Sequence, residues 1–140
     1  VSGTRRRSRG FGRRPRPAPF VPPDEPGGAA FAVEEERRDG WTAWNVSGEI
    51  DIATVSRLRA KLESSVARTD VMLVDLTDVT FMDSTGLGLL LDVNERLRSA
   101  GGRWAIACPE GTPRLLCAVT GVEDILPLHD TRADAEAALG

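Results

Sequence analysis

The stretch Phe81-Met82-Asp83-Ser84-Thr85-Gly86-Leu87-Gly88, FMDSTGLG (81–88), decides how the chain is read. It follows the apolar run VMLVDL (71–76) and precedes a segment in which Leu87, Leu90, Leu91, Asn94 and Leu97 recur at helical spacing. A continuous apolar run ending in an acid is the pattern of a buried parallel strand. A strand, a polar turn over FMDSTG and a helix are therefore expected here, with Gly101-Gly102 stopping the helix.

The same alternation extends both ways. Upstream, ATVSRLRAKLESSVAR (53–68) places Val55, Leu58, Leu62 and Val66 on one helical face, with charged residues on the other and Asp51 or Thr54 as N-cap. FAVEEER (31–37) and WTAWNVSG (41–48) alternate partially and flank Asp39-Gly40, a strong hairpin turn signal, so they read as two antiparallel strands. Downstream come a strand RWAIAC (103–108), a short helix from Pro113 to Val119 and a strand ILPLH (125–129) whose Pro127 indicates a sheet edge. A C-terminal helix over 131–139 follows. The order ββαβαβαβα predicts an α/β fold: a mixed, mostly parallel β-sheet entered by one antiparallel hairpin, with about four α-helices.

Residues 1–28 differ in kind. They hold seven arginines, six prolines and five glycines, with net charge +7 − 2 = +5, which leaves −3 − 5 = −8 for the remainder. Such a segment cannot build a core and is expected to be disordered, with the folded domain spanning 29–140. A twin-arginine export signal is excluded because no apolar stretch follows the arginines. Contact with a polyanion and a nonfunctional extension remain as its two readings. The chain begins with Val rather than Met, which fits an alternative start codon, a processed end or a misassigned start. The absence of an export signal and of a membrane span predicts a cytoplasmic protein that does not enter a membrane. Cys108 and Cys117 are too few and too poorly spaced for a disulfide framework or a zinc site, and read as small buried side chains in a reducing compartment.

Ser84 carries the functional question. Nucleophilic catalysis needs a base, yet the single histidine, His129, falls in the last strand, and the G-x-S-x-G elbow fails because Met82 stands where its first glycine should be. No phosphate-loop motif is present, since Gly86-Leu87-Gly88 falls short of G-x-G-x-x-G. The bland reading makes Asp83 an N-cap with Ser84 and Thr85 in the first turn. Capping needs only one polar residue, however, and glycines at 86 and 88 each cost a helix about 1 kcal/mol relative to alanine. Small residues at a helix start would leave the Ser84 hydroxyl open to a partner.

GEID (48–51), VDL (74–76) and above all FMDSTGLG, in this order and spacing, resemble the STAS domain, and more narrowly a bacterial anti-sigma factor antagonist. The resemblance covers about residues 30–139 and excludes the arginine-rich segment. It implies a non-enzymatic binding switch with no cofactor, no metal and no catalytic residue. The unphosphorylated form would bind an anti-sigma factor that is itself a serine kinase of histidine-kinase-like ATPase fold, releasing a sigma factor. That kinase would phosphorylate Ser84 and so end the complex, and a phosphatase would reset it. The resemblance carries over Asp83, Ser84, Thr85, Gly86 and Gly88 as the motif, and Gly48, Glu49 and Asp51 as the neighbouring loop of the same partner surface. No direct nucleic-acid contact is expected, and a monomer when free is the default, since nothing in the sequence indicates an obligate oligomer. The alternative within the family is a STAS subunit of a stress-signalling or lipid-transport assembly. A transporter fragment is disfavoured because no membrane span precedes the domain.

Overall fold

The computed structural model describes residues 30–68 and 71–140. The segment 1–28 expected to be disordered lies outside the described residues. The elements are β1 (Ala32–Arg38), β2 (Trp41–Ile50), α1 (Val55–Ala67), β3 (Val71–Met82), α2 (Ser84–Ala100), β4 (Arg103–Ala107), α3 (Thr112–Thr120), β5 (Leu128–His129) and α4 (Arg132–Leu139). This is the ββαβαβαβα order read from the sequence. The five strands form one sheet in the order β1-β2-β3-β4-β5, with β1 antiparallel to β2 and the remaining pairs parallel.

Laying parallel strands down one after another in one direction, with crossovers of a single hand, puts their connecting helices on one face. The core shows this. Trp44, Val46, Met72, Val74, Leu76, Trp104 and Ile106 of the sheet pack with Leu58 and Leu62 of α1, with Leu90, Val93 and Leu97 of α2 and with Cys117 of α3. The opposite face presents small side chains, Ala43, Ala105 and Ala107 beside Leu73, and the short helix α4 sits close on them through Ala135 and Leu139. Alternation of large and small residues along each strand thus assigns one thick and one thin layer. Where polar groups enter the large-residue face they are paired: the Trp44 indole N–H donates to the fully buried Ser65 hydroxyl at 2.8 Å, and the Trp104 indole to Asn94 Oδ1 at 2.9 Å.

Three expectations change in detail. The strand read as 71–76 runs on to Met82, because it carries two register shifts against β2 that break its alternation. Asn45 pairs Asp75 but Ser47 pairs Asp78, and Gly48 pairs Val79 but Glu49 pairs Phe81. Asp75 Oδ1 accepts the Thr77 N–H at 2.9 Å at the first shift, and the Thr80 hydroxyl donates to the Gly48 carbonyl at 3.4 Å at the second. The strand ILPLH shrinks to Leu128–His129, although the Pro127 carbonyl still accepts from Ile106 N–H at 2.9 Å at the sheet edge. In α2 the buried stripe includes Leu89 and Val93, while Leu91 and Asn94 are only half-buried. Both cysteines are buried and free, and burial pushes the Cys108 thiol up to about 12 and raises Cys117 as well.

Arg132, at the start of α4, ties the thin layer together. Its guanidinium donates to Asn45 Oδ1 at 2.9 Å, Asp75 Oδ2 at 3.1 Å, Glu36 Oε1 at 3.1 Å and Glu136 Oε2 at 2.7 Å. Glu36 also accepts from Asn45 Nδ2 and from Arg38, and these bonds, with that of Asn45 foremost, hold its carboxyl down at about 2. A carboxyl depressed in the folded state stabilises it above the ordinary glutamate range and loses that contribution as pH falls toward its folded value. Glu36→Gln should therefore flatten the fall in melting temperature between about pH 4.5 and pH 2. Thermal melts of both proteins across that interval check this, and parallel curves would exclude the Glu36 cluster as the source.

Candidate functional site

Strands β2 and β3 end side by side, with Glu49 paired to Phe81 and Ile50 to Met82, and β1 stops short of them because its Ala32 pairs Ser47. The candidate residues from the two sequence segments therefore meet at one tip. The Asp83 N–H donates to the Ile50 carbonyl at 3.1 Å, so the turn into α2 is fastened to the turn out of β2.

On the α2 side, Asp83 has extended backbone and caps the helix: its Oδ1 accepts the Thr85 N–H at 2.9 Å, and its carbonyl accepts from Gly86 and Leu87. The Thr85 hydroxyl donates to the same Oδ1 at 2.5 Å. That hydroxyl, followed by backbone N–H groups of the helix start, holds the Asp83 carboxyl below the usual carboxylate range. Asp83 is thus ionised at neutral pH. Thr85 is half-buried and its hydroxyl is committed, whereas Ser84 is exposed and its hydroxyl has no hydrogen-bond partner among the described residues. The two hydroxyls are adjacent in sequence but unequal in availability.

The two motif glycines differ in the same way. A Cβ on Gly86 would lie 2.6 Å from Met82 Cγ and 2.7 Å from Ile50 Cγ2, so only glycine lets α2 close down on the ends of β2 and β3. Gly88 is exposed and a Cβ there would meet nothing within 4 Å. Gly86 is therefore buried, and the space a Cβ would need there is filled by Met82 and Ile50. Gly48 is buried too. It adopts φ +90° at the second register shift, a conformation open to glycine at little cost. Glu49 is exposed and Asp51 half-buried.

The turn from β2 to α1 does not cap that helix through a side chain. The Thr54 hydroxyl donates to the Glu49 carbonyl at 2.8 Å and accepts the Asp51 N–H at 3.0 Å, while Asp51 Oδ1 accepts the Ala53 N–H at 2.9 Å. Both candidate caps are spent on fixing the turn itself. The residue this turn displays is Ile52, 81% exposed. The sequence reading gave it no role, since it falls between the GEID loop and the first helix, and only its exposure shows that it projects outward. Among the described residues no group of three or more histidine, cysteine or acidic side chains is placed to hold a metal ion. Among them, too, no helix is long and apolar enough to cross a membrane. His129, the remaining candidate for base chemistry, sits in the edge strand β5. The tip thus offers an exposed hydroxyl at a helix start, acidic side chains and two exposed apolar side chains, Ile52 and Phe81, a surface suited to binding.

The family model of the STAS domain matches residues 32–135. An anti-sigma F factor antagonist of Paenibacillus polymyxa is 27% identical over 105 residues, covering 74% of this chain and 90% of that protein. An anti-sigma-B factor antagonist of Listeria monocytogenes is 30% identical over 90 residues, covering 64% and 79%. The crystal structure of an anti-sigma factor antagonist from Mycobacterium paratuberculosis superposes with a TM-score of 0.73 at 30% identity, over 79% of this chain and 94% of that one.

The glycines give a paired test. Gly86→Ala should destabilise the fold by about 1–3 kcal/mol through overpacking against Ile50 and Met82. Gly88→Ala should stabilise it by up to about 1 kcal/mol, since the helix gains propensity and nothing is crowded. Urea unfolding of both variants measures the difference, and equal effects would show that the close approach at Gly86 does not govern the tip.

Proposed function

The chain belongs to the STAS domain family, and on that premise we propose that it is an anti-sigma factor antagonist switched by phosphorylation of Ser84. The observation that carries this reading is the contrast at the start of α2: Ser84 is exposed and unbonded, while Thr85 is held by Asp83. Its unphosphorylated form binds an anti-sigma factor serine kinase of histidine-kinase-like ATPase fold and thereby frees a sigma factor. Phosphorylation by that kinase ends the complex, and a phosphatase restores the serine. The protein itself acts as a non-catalytic, cytoplasmic binding module, a monomer when free, without a cofactor and without direct nucleic-acid contact. The partner surface comprises Asp83, Ser84, Thr85 and Gly88 with Glu49 and Asp51, and Gly48 and Gly86 set its shape.

The physical argument has two parts. A phosphoryl group brings about −1.5 to −2 charges at pH 7. At a helix N-terminus this is locally favourable by roughly 0.3–1 kcal/mol, so the fold persists. In an interface the same charge stands next to the ionised Asp83 in the chain, where it must be desolvated beside like charge. A loss of a few kcal/mol suffices to release the partner, since each 1.4 kcal/mol is about tenfold in affinity.

Incubation with an anti-sigma factor serine kinase and ATP should place one phosphoryl group on Ser84. It should be absent from Ser84→Ala and should not move to Thr85 in that variant, as read by site-mapped mass spectrometry. Ser84→Ala should bind the kinase persistently and Ser84→Asp at least about tenfold more weakly. Equal affinities for the two variants would refute the switch. An intact fold that no such kinase binds or phosphorylates, but that co-purifies with a transport ATPase or a stress assembly, would select the other STAS roles.

A further inference from the structure

We propose that Ile52 is the apolar anchor of the Ser84 surface, the side chain that an anti-sigma partner must bury in order to close over Ser84; this rests on the partner-switch reading above. The fold makes no use of it. Ile50, two residues earlier, is fully buried, whereas Ile52 belongs to neither core cluster and is the most exposed large apolar side chain among the described residues. An exposed turn ordinarily favours small or polar residues.

The turn that carries Ile52 is hydrogen-bonded on both sides of that residue. The Asp51 carbonyl accepts from Thr54 and Val55 N–H at 3.0 and 2.8 Å, the Thr54 hydroxyl bridges Asp51 N–H and the Glu49 carbonyl, and Asp51 Oδ1 holds the Ala53 N–H. A β-branched side chain on a backbone fixed at both flanks loses little freedom when it docks. It also shares a surface with the switch. The bond from Asp83 N–H to the Ile50 carbonyl lies one residue from Ser84 and two from Ile52. The same turn carries the exposed Glu49 and the half-buried Asp51, and the ionised Asp83 is tied to it through the Ile50 carbonyl. An exposed apolar side chain in an acidic turn calls for a partner with an apolar pocket rimmed by lysine or arginine.

The arrangement also accounts for release without refolding. To bury Ile52, the partner must strip water from the surface next to Ser84. A phosphoryl group there keeps its hydration shell, so the anchor stays wet and unoccupied.

The test is calorimetric titration against purified anti-sigma factor serine kinases of histidine-kinase-like ATPase fold. Wild type, Ser84→Ala, Ile52→Val, Ile52→Ser, Ser84→Asp and Val119→Ser are compared, the last removing a 70% exposed apolar side chain from α3. Ile52→Ser should lose at least about tenfold in affinity with an unchanged melting temperature, while Ile52→Val and Val119→Ser stay within about twofold of wild type. If Ser84→Asp binds weakly but Ile52→Ser binds like wild type, the anchor assignment is wrong and the switch stands. Equal losses in Ile52→Ser and Val119→Ser would also overturn it, since general apolar stickiness would then explain both. Failure of wild type and Ser84→Ala alike to bind any such kinase would bring down the switch and the anchor together.

Discussion

The tip of this domain depends on a contact that leaves no room for a methyl group. Gly86 lets the first turn of α2 sit on Ile50 and Met82, and the Asp83–Ile50 backbone bond holds the two turns at that distance. From this closeness follow the cap geometry of Asp83, the outward direction of Ser84 and the shared surface with the Asp51–Thr54 turn. The core supplies the stiffness behind it: Ile50 and Met82 are themselves buried among the leucines of α1 and α2, so neither can yield readily.

The polar groups at the tip divide the work. Thr85 and Thr54 spend their hydroxyls on the scaffold, one on the Asp83 carboxylate and the other on the Glu49 carbonyl and Asp51 N–H. Ser84 spends none. A side chain that stabilises nothing can be modified without cost to the fold, which is the condition a reversible switch must satisfy. Far from the tip, Arg132 shows the opposite use of polarity, gathering β1, β2, β3 and α4 through charged and amide partners at one place.

Much of this was legible in the sequence because strand, helix and turn signals alternated without contradiction. The amphipathic spacing of Leu58 and Leu62, the apolar run at 71–76 and the Asp83 cap all mean locally what they mean in the fold. The misreadings have a common cause: long-range pairing decided matters that local pattern could not. Thr77, Asp78 and Thr80 look like loop residues, yet β2 recruits them into β3. Gly86 and Gly88 look alike in sequence, and only the proximity of Ile50, thirty-odd positions away, makes one obligatory and the other free. Ile52, in the turn between β2 and α1, carries no pattern that marks it as exposed. What each side chain faces at the tip could not be read from the motif alone.

The paired register shifts of β3 bear on how this region can drift over evolutionary time. Met72, Val74 and Leu76 point into the thick layer from even positions, Val79 from an odd one, and Met82 from an even one again. Each shift inverts the parity of every later residue in the strand, and the second undoes the first. Loss of a single residue between Leu76 and Phe81 would leave one inversion uncorrected, turning Phe81 inward and Met82 outward and carrying the start of α2 around with them. Length changes in this strand are therefore tolerable only in compensating pairs. The segment just ahead of Ser84 should accept substitution at its exposed threonines and Asp78 while resisting any change in count.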